Sequence, residues 1–132
     1  MIATAWRWIG EDVVLAIHDE QIAEHGGLGG VRDAALMQSA LARAPGLAAY
    51  GDPDAASLAA AYAYGLVRNH AFADGNERTA FVVALVFLLD NGFEFSGDDA
   101  HSVSAMLALA DGRMSEKQMA AWLRARIKAV AD

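Results

Sequence analysis

Apolar and polar positions fall into blocks of helical length along the chain. Glu11-Asp12 precede Val13-Val14-Leu15-Ala16-Ile17-His18, and acids in a first turn favour a helix start. That helix should run to about His25 and stop at Gly26-Gly27. Asp33 can begin a second helix, in which Leu36, Ala40 and Leu41 share a face and Ala44-Pro45-Gly46 marks the end. Gly51-Asp52-Pro53-Asp54 is turn chemistry. It restarts a long helix from about Asp54 to His70, with Leu58, Tyr62, Gly65, Leu66 and Asn69 at helical spacing.

The run Phe81-Val82-Val83-Ala84-Leu85-Val86-Phe87-Leu88-Leu89 is apolar at every position and leaves no solvated helical face. It is too short for a bilayer, which needs about 20 apolar residues. It reads as the central buried helix, from about Asn76 to Asp90. Asp98 or Asp99 caps a further helix to about Ala110. Ser115 and Gln118 form a capping box. The last helix turns Met119, Trp122, Leu123, Ile127 and Val130 inward and Arg124, Arg126 and Lys128 outward. Trp6-Arg7-Trp8 and Phe93-Glu94-Phe95 alternate with period two and can pair as a small ribbon. The expectation is an all-α bundle around one buried helix, in a single domain over residues 1–132, without repeat or linker.

Composition narrows the function. The chain has 132 residues, no cysteine and a net charge of −7. Absent thiols exclude disulfides and thiolate metal sites and suit a reducing cytoplasm. The start shows no basic segment followed by a long apolar one, so no secretory leader is expected. A strongly acidic chain lacks the basic face that supplies most nucleic-acid affinity. Binding an anion here needs local means: a few arginines, backbone N–H groups or a divalent metal.

Those means gather in one stretch, His70-Ala71-Phe72-Ala73-Asp74-Gly75-Asn76-Glu77-Arg78, between the two central helices. An imidazole titrates at about pH 6.5 and suits a general base at neutral pH. The Asp74 carboxylate can hold a hard cation such as Mg²⁺. Gly75 can adopt positive φ and let successive N–H groups converge on an anion. Asn76 can cap the helix or bind a phosphate oxygen, and Arg78 offers a planar fork for two phosphate oxygens. Phe72 is the apolar pin of the loop. Singly, each residue also has a structural reading: His70 satisfying helix carbonyls, Asp74 and Glu77 forming a capping box, Arg78 pairing with a nearby acid. As a spaced set they suit phosphoryl or nucleotidyl transfer. The glycine-rich Gly26-Gly27-Leu28-Gly29-Gly30 is read as a helix cap and turn, since no Gly-Lys-Ser/Thr closes it as a P-loop. The histidines and Glu20 show no H-E-x-x-H spacing for zinc.

The motif resembles the Fic/Doc signature, H-x-F-x-[D/E]-[G/A]-N-x-R. Ile17-His18, Ile22, the glycine-rich loop with Arg32-Asp33, and Ala42-Arg43 resemble the Doc (death-on-curing) branch, over about residues 8 to 128. The resemblance implies a Fic-fold helical bundle, ATP with Mg²⁺, and a hydroxyl side chain of a target protein as acceptor. His70 would be the base, Asp74 the metal ligand, Gly75 and Asn76 the anion hole, and Arg78 the phosphate holder. Fic relatives mostly transfer AMP. Doc relatives resemble toxin kinases that phosphorylate elongation factor Tu and are restrained by a small Phd-like antitoxin. The inhibitory Glu-Gly or Glu-Asn segment of many Fic proteins is absent, which leaves restraint to such a partner.

Two positions depart from the pattern. Ala71 replaces the usual proline, and Glu77 stands where Fic enzymes carry glycine and Doc relatives often carry lysine. Loss of the second glycine points to the kinase rather than to AMP transfer. A carboxylate beside a triphosphate is repelled by several kcal/mol where solvation is poor, on the order of 4 kcal/mol at close range and intermediate dielectric. Glu77 must point away, bind the metal or weaken nucleotide binding. The expected alternatives are therefore a Fic-type adenylyltransferase and a catalytically weak Fic-fold binding protein.

Overall fold

The computed structural model describes residues 5–130. Along them run α1 (Glu11–His25), α2 (Ala34–Tyr50), α3 (Ala55–Asn69), α4 (Asn76–Asp90), β1 (Phe93–Phe95), α5 (Asp99–Ala110), α6 (Glu116–Arg124) and β2 (Ile127–Ala129). The all-α expectation is borne out. The absence of a secretory leader was read largely from residues 1–4, which lie outside the described residues. No helix among the described residues is long and apolar enough to cross a membrane.

The buried axis is α3, not the apolar run that follows the motif. Eleven of the fifteen residues of α3 are buried, and α2, α4, α5 and α6 all pack against it. Small residues make this possible. A Cβ on Gly65 would stand 2.9 Å from Arg43 Cδ and 3.1 Å from the Ala40 carbonyl oxygen, so α2 lies directly on the α3 backbone. By contrast, α4 buries Val83, Ala84, Phe87 and Leu88 but leaves Phe81, Val82, Leu85 and Val86 half-buried and Leu89 67% exposed. Its apolar residues exceed the neighbours available to cover them.

Helix starts follow local chemistry. The side chains of Asp33, Asp54 and Asp98 each accept the backbone N–H three residues on. Ser115 and Gln118 form the reciprocal capping box. Each such cap contributes about 1 kcal/mol. Helix ends were less legible. Helix α2 runs through Pro45 to Tyr50 instead of stopping there. A proline removes one backbone bond and strains the turn, but Ala44 is buried and Ala48 packs on the core, and this packing offsets the loss.

The aromatic ribbon forms with a different partner. Strand β1 pairs antiparallel with β2, Phe93 opposite Ala129 and Phe95 opposite Ile127, so the last helix stops at Arg124 and not near Val130. The Trp6–Trp8 segment forms no strand. One amide side chain takes the place of a strand there: Asn91 Oδ1 accepts the Arg7 N–H at 2.8 Å, and Asn91 Nδ2 donates to the Arg7 carbonyl at 3.0 Å. Trp6 and Trp8 set their rings 6.0 Å from that of Phe87. The buried Tyr62 hydroxyl accepts the Ile9 N–H at 3.0 Å, and burial pushes its phenol above the usual range.

Candidate active site

The motif loop is fixed at its first residue. His70 caps α3 in the left-handed conformation, φ 52° and ψ 50°, and among the described residues it is the one non-glycine with positive φ. Such a backbone costs about 1–2 kcal/mol and needs outside support. That support comes from the start of α2. Arg32 donates twice to the His70 carbonyl, from Nε at 3.0 Å and Nη2 at 2.5 Å. The backbone N–H groups of Arg32 and Asp33 both donate to the Ala71 carbonyl, at 2.7 and 3.0 Å. The His70 side chain itself stays exposed.

The middle of the loop is tied from inside. Phe72 is fully buried, which agrees with its reading as a pin. Asn76 is only 2% exposed and closes on Phe72: its Oδ1 accepts the Phe72 N–H at 3.1 Å and its Nδ2 donates to the Phe72 carbonyl at 2.9 Å. Nδ2 also lies 3.4 Å from His70 Nδ1, at the outer limit of a hydrogen bond. The amide is thus committed to the loop's own backbone. Asn76 can meet an anion through its backbone N–H, not through its side chain.

The end of the loop opens into a pocket. Gly75 begins α4 at φ 75° and ψ 20°, with no side-chain cap. The first-turn N–H groups of Asn76, Glu77 and Arg78 therefore keep the character of an uncapped helix N-terminus, which favours anions. The capping box between Asp74 and Glu77 does not form. Asp74 instead points its Oδ2 at the Leu28 N–H, 2.8 Å away. A pocket of about 670 Å³ is lined by Asp74, Gly75, Glu77 and Arg78, by Gln21 and His25 of α1, and by an apolar wall that includes Phe81, Val82, Met106 and Leu107. His70 is not among the residues that line it.

The glycine-rich loop does more than end α1 and turn. Gly26 does cap α1, donating its N–H to the Ile22 carbonyl at 2.8 Å. Beyond it, the loop runs antiparallel beside the motif through a bridge between Val31 and Phe72. A Cβ on Gly27, at φ 118°, would come 3.1 Å from Asp74 Cβ, so glycine is what lets the loop close over this residue. Leu28 and Arg32 thus act on the motif across the fold. The only sequence trace of this was the density of glycines.

The charge balance bears on any cation. Asp74, Glu77 and Asp99 line the same pocket as Arg78. Among the described residues no group of three or more His, Asp or Glu side chains could hold a metal by itself. A Mg²⁺ that takes one or two carboxylates and completes its shell with phosphates and water fits this donor set; a self-sufficient protein cage does not.

The bundle thus presents an uncapped helix N-terminus with an arginine in its first turn, a combination that favours anions. Residues 8–88 match the Fic/DOC family, and the chain belongs to it. It is 32% identical to the protein kinase doc of Escherichia phage P1 over 119 residues, 89% of this chain and 94% of that one. It is 44% identical to the toxin Doc of Mycolicibacterium smegmatis over 71 residues, 52% of this chain and 54% of that one. Both relatives support the Doc branch of the family.

Proposed function

We propose that this protein is a Doc-type toxin and a protein kinase that transfers the terminal phosphate of ATP to a hydroxyl side chain of a translation factor resembling elongation factor Tu, in the cytoplasm. The observation that carries the reading is the uncapped start of α4, with Asp74 and Arg78 in one pocket and the exposed His70 at the head of the same loop. In this reading Arg78 and the first-turn N–H groups hold phosphate oxygens. His70 takes the proton as the acceptor oxygen bonds to phosphorus and the bond to ADP breaks. A large acceptor protein needs a base it can reach from solvent, and the exposure of His70 suits that. When bound, Mg²⁺ would supply charge neutralisation between the phosphates, with Asp74 as its carboxylate and Glu77 within the same pocket. The relatives' names favour a toxin, and a toxin of this kind needs restraint, which we assign to a Phd-like antitoxin.

The test uses ATP labelled at either the α or the γ phosphate, with Mg²⁺ and cell lysate, beside His70→Ala. Label from γ only, lost in His70→Ala, is expected. Label from α would support the adenylyltransferase instead. No label from either, with growth toxicity unchanged in His70→Ala, would sink both enzyme readings.

One observation favours a second reading, a catalytically weak binding protein. Glu77 is half-buried and lines the pocket beside Arg78, where it opposes an anionic ligand. On that reading Glu77→Lys tightens ATP binding at least about tenfold in calorimetry, since one charge contact at intermediate dielectric is worth several kcal/mol. An unchanged affinity counts against it.

A further inference from the structure

His18 is a buried polar side chain to which the proposed chemistry gives no task. It sits on α1 at 1% exposure. Its ring stacks on Phe72, centroids 3.8 Å apart and planes within 10°. Its Nε2 lies 2.8 Å from the Asp74 carbonyl oxygen. A carbonyl only accepts, so Nε2 carries the proton and donates it. The ring also stands close to Gly75, where an added Cβ would come 3.9 Å from His18 Cδ2 and Nε2. One imidazole therefore touches the pin, the carboxylate residue and the helix-starting glycine of the motif.

The same residue, Asp74, is held a second time. Leu28 fixes its side chain through Oδ2, and His18 fixes its main chain through the carbonyl. Ile22, one turn along α1 from His18, closes the space between them: its Cδ1 would be 3.3 Å from a Cβ on Gly27 and 3.2 Å from a Cβ on Gly75. One hydrogen bond to its main chain and one to its side chain leave Asp74 little freedom of rotation. Among the described residues Oδ1 has no hydrogen-bond partner, whereas Oδ2 accepts from Leu28.

We infer that His18 is a positioning residue that aims the Asp74 carboxylate at the pocket. The inference rests on the reading of Asp74 as the carboxylate for a divalent cation. Partners that orient a metal-binding carboxylate typically change metal affinity 10- to 100-fold when removed. A histidine that merely fills the core would also seek an acceptor for its buried N–H. The two cases differ in what Asp74 does when the donor is lost and the volume is kept.

The variants separate the donor from the stack. His18→Gln places an amide N–H where Nε2 stands, His18→Asn places it one bond short, and His18→Phe keeps the stack on Phe72 without a donor. The first readout needs no ligand: the backbone amide signal and hydrogen exchange of Leu28 by NMR, which report the bond to Asp74 Oδ2. The second is Mn²⁺ binding by electron paramagnetic resonance, with a non-hydrolysable ATP analogue present. We expect His18→Phe and His18→Asn to shift the Leu28 amide, speed its exchange and weaken Mn²⁺ about tenfold. His18→Gln should restore both. The Gln and Asn pair decides the matter even if the Phe variant fails to fold. A Leu28 amide and Mn²⁺ affinity unchanged in His18→Phe, or His18→Gln as impaired as His18→Asn, would overturn the inference. Wild-type protein that takes up no Mn²⁺ would overturn the metal reading beneath it. The Leu28 amide, read without ligand, keeps that failure distinct from a failure of His18.

Discussion

Helices α2, α3, α5 and α6 begin under a side-chain cap, whereas α4 begins at a glycine with none. Helix α1 also starts uncapped, at Gly10, but two acids in its first turn compensate the helix dipole. The start of α4 has Glu77 in its first turn and is stabilised by another route. Asn76 and Phe72 hold it from behind, by an amide clasp and a buried ring. The difference shows how a helix end can be firm and still leave its N–H groups to a ligand.

The comparison breaks most visibly if the clasp is removed. Phe72→Ala should cost about 4 kcal/mol in urea unfolding, the usual range for deleting a fully buried ring. A loss below about 1 kcal/mol would mean that the loop is not anchored by this side chain. Asn76→Ala leaves a buried N–H and a buried carbonyl of Phe72 without partners, and should cost about 3 kcal/mol. A capped helix gives the smaller effect. At the start of α3, Asp54 accepts the Ser57 N–H and bonds Arg124 Nε and Nη2 at 2.7 and 3.0 Å. The guanidinium holds this carboxyl well below the usual range. A depressed folded-state pKa means stability that is complete above the ordinary carboxylate value of about 4 and is lost as pH falls below it. Both partners are half-exposed, so the pair is worth at most about 1 kcal/mol. Asp54→Asn keeps the cap and loses the charge. The advantage of the wild type over it in urea midpoint should therefore be present at pH 7 and shrink towards pH 2. An advantage independent of pH would remove the ion pair from the account.

What the sequence disclosed follows the same division. Asp33, Asp54, Asp98 and Ser115 announced helix starts because a cap acts over three residues, well within a local reading. The motif was legible for a similar reason, as nine consecutive positions carry it. Long-range relations were hidden. Leu28 and Asp74 meet across 46 positions, with no periodicity to join them. Hydropathy ranked α4 above α3 because it weighs residues and not neighbours; the alanines of α3 are individually modest but admit four helices. Ile127 and Val130 continue the helical spacing of Met119 and Leu123, so nothing local foretold that the chain would extend and pair with Phe93–Phe95. For Asn76 the sequence allows a helix cap or a phosphate contact; the amide instead clasps the Phe72 backbone, a role its position does not reveal.

The hydrogen bond from Leu28 to Asp74 also makes the motif depend on a distant part of the chain. The signature residues are contiguous, yet the carboxylate gains its direction only when the segment after α1 has docked on the loop before α4. A chain in which the glycine-rich loop is detached would carry every letter of the motif without this hydrogen bond to Asp74. Contiguity in sequence is therefore not enough to set the direction of the carboxylate; a segment 46 positions away completes it.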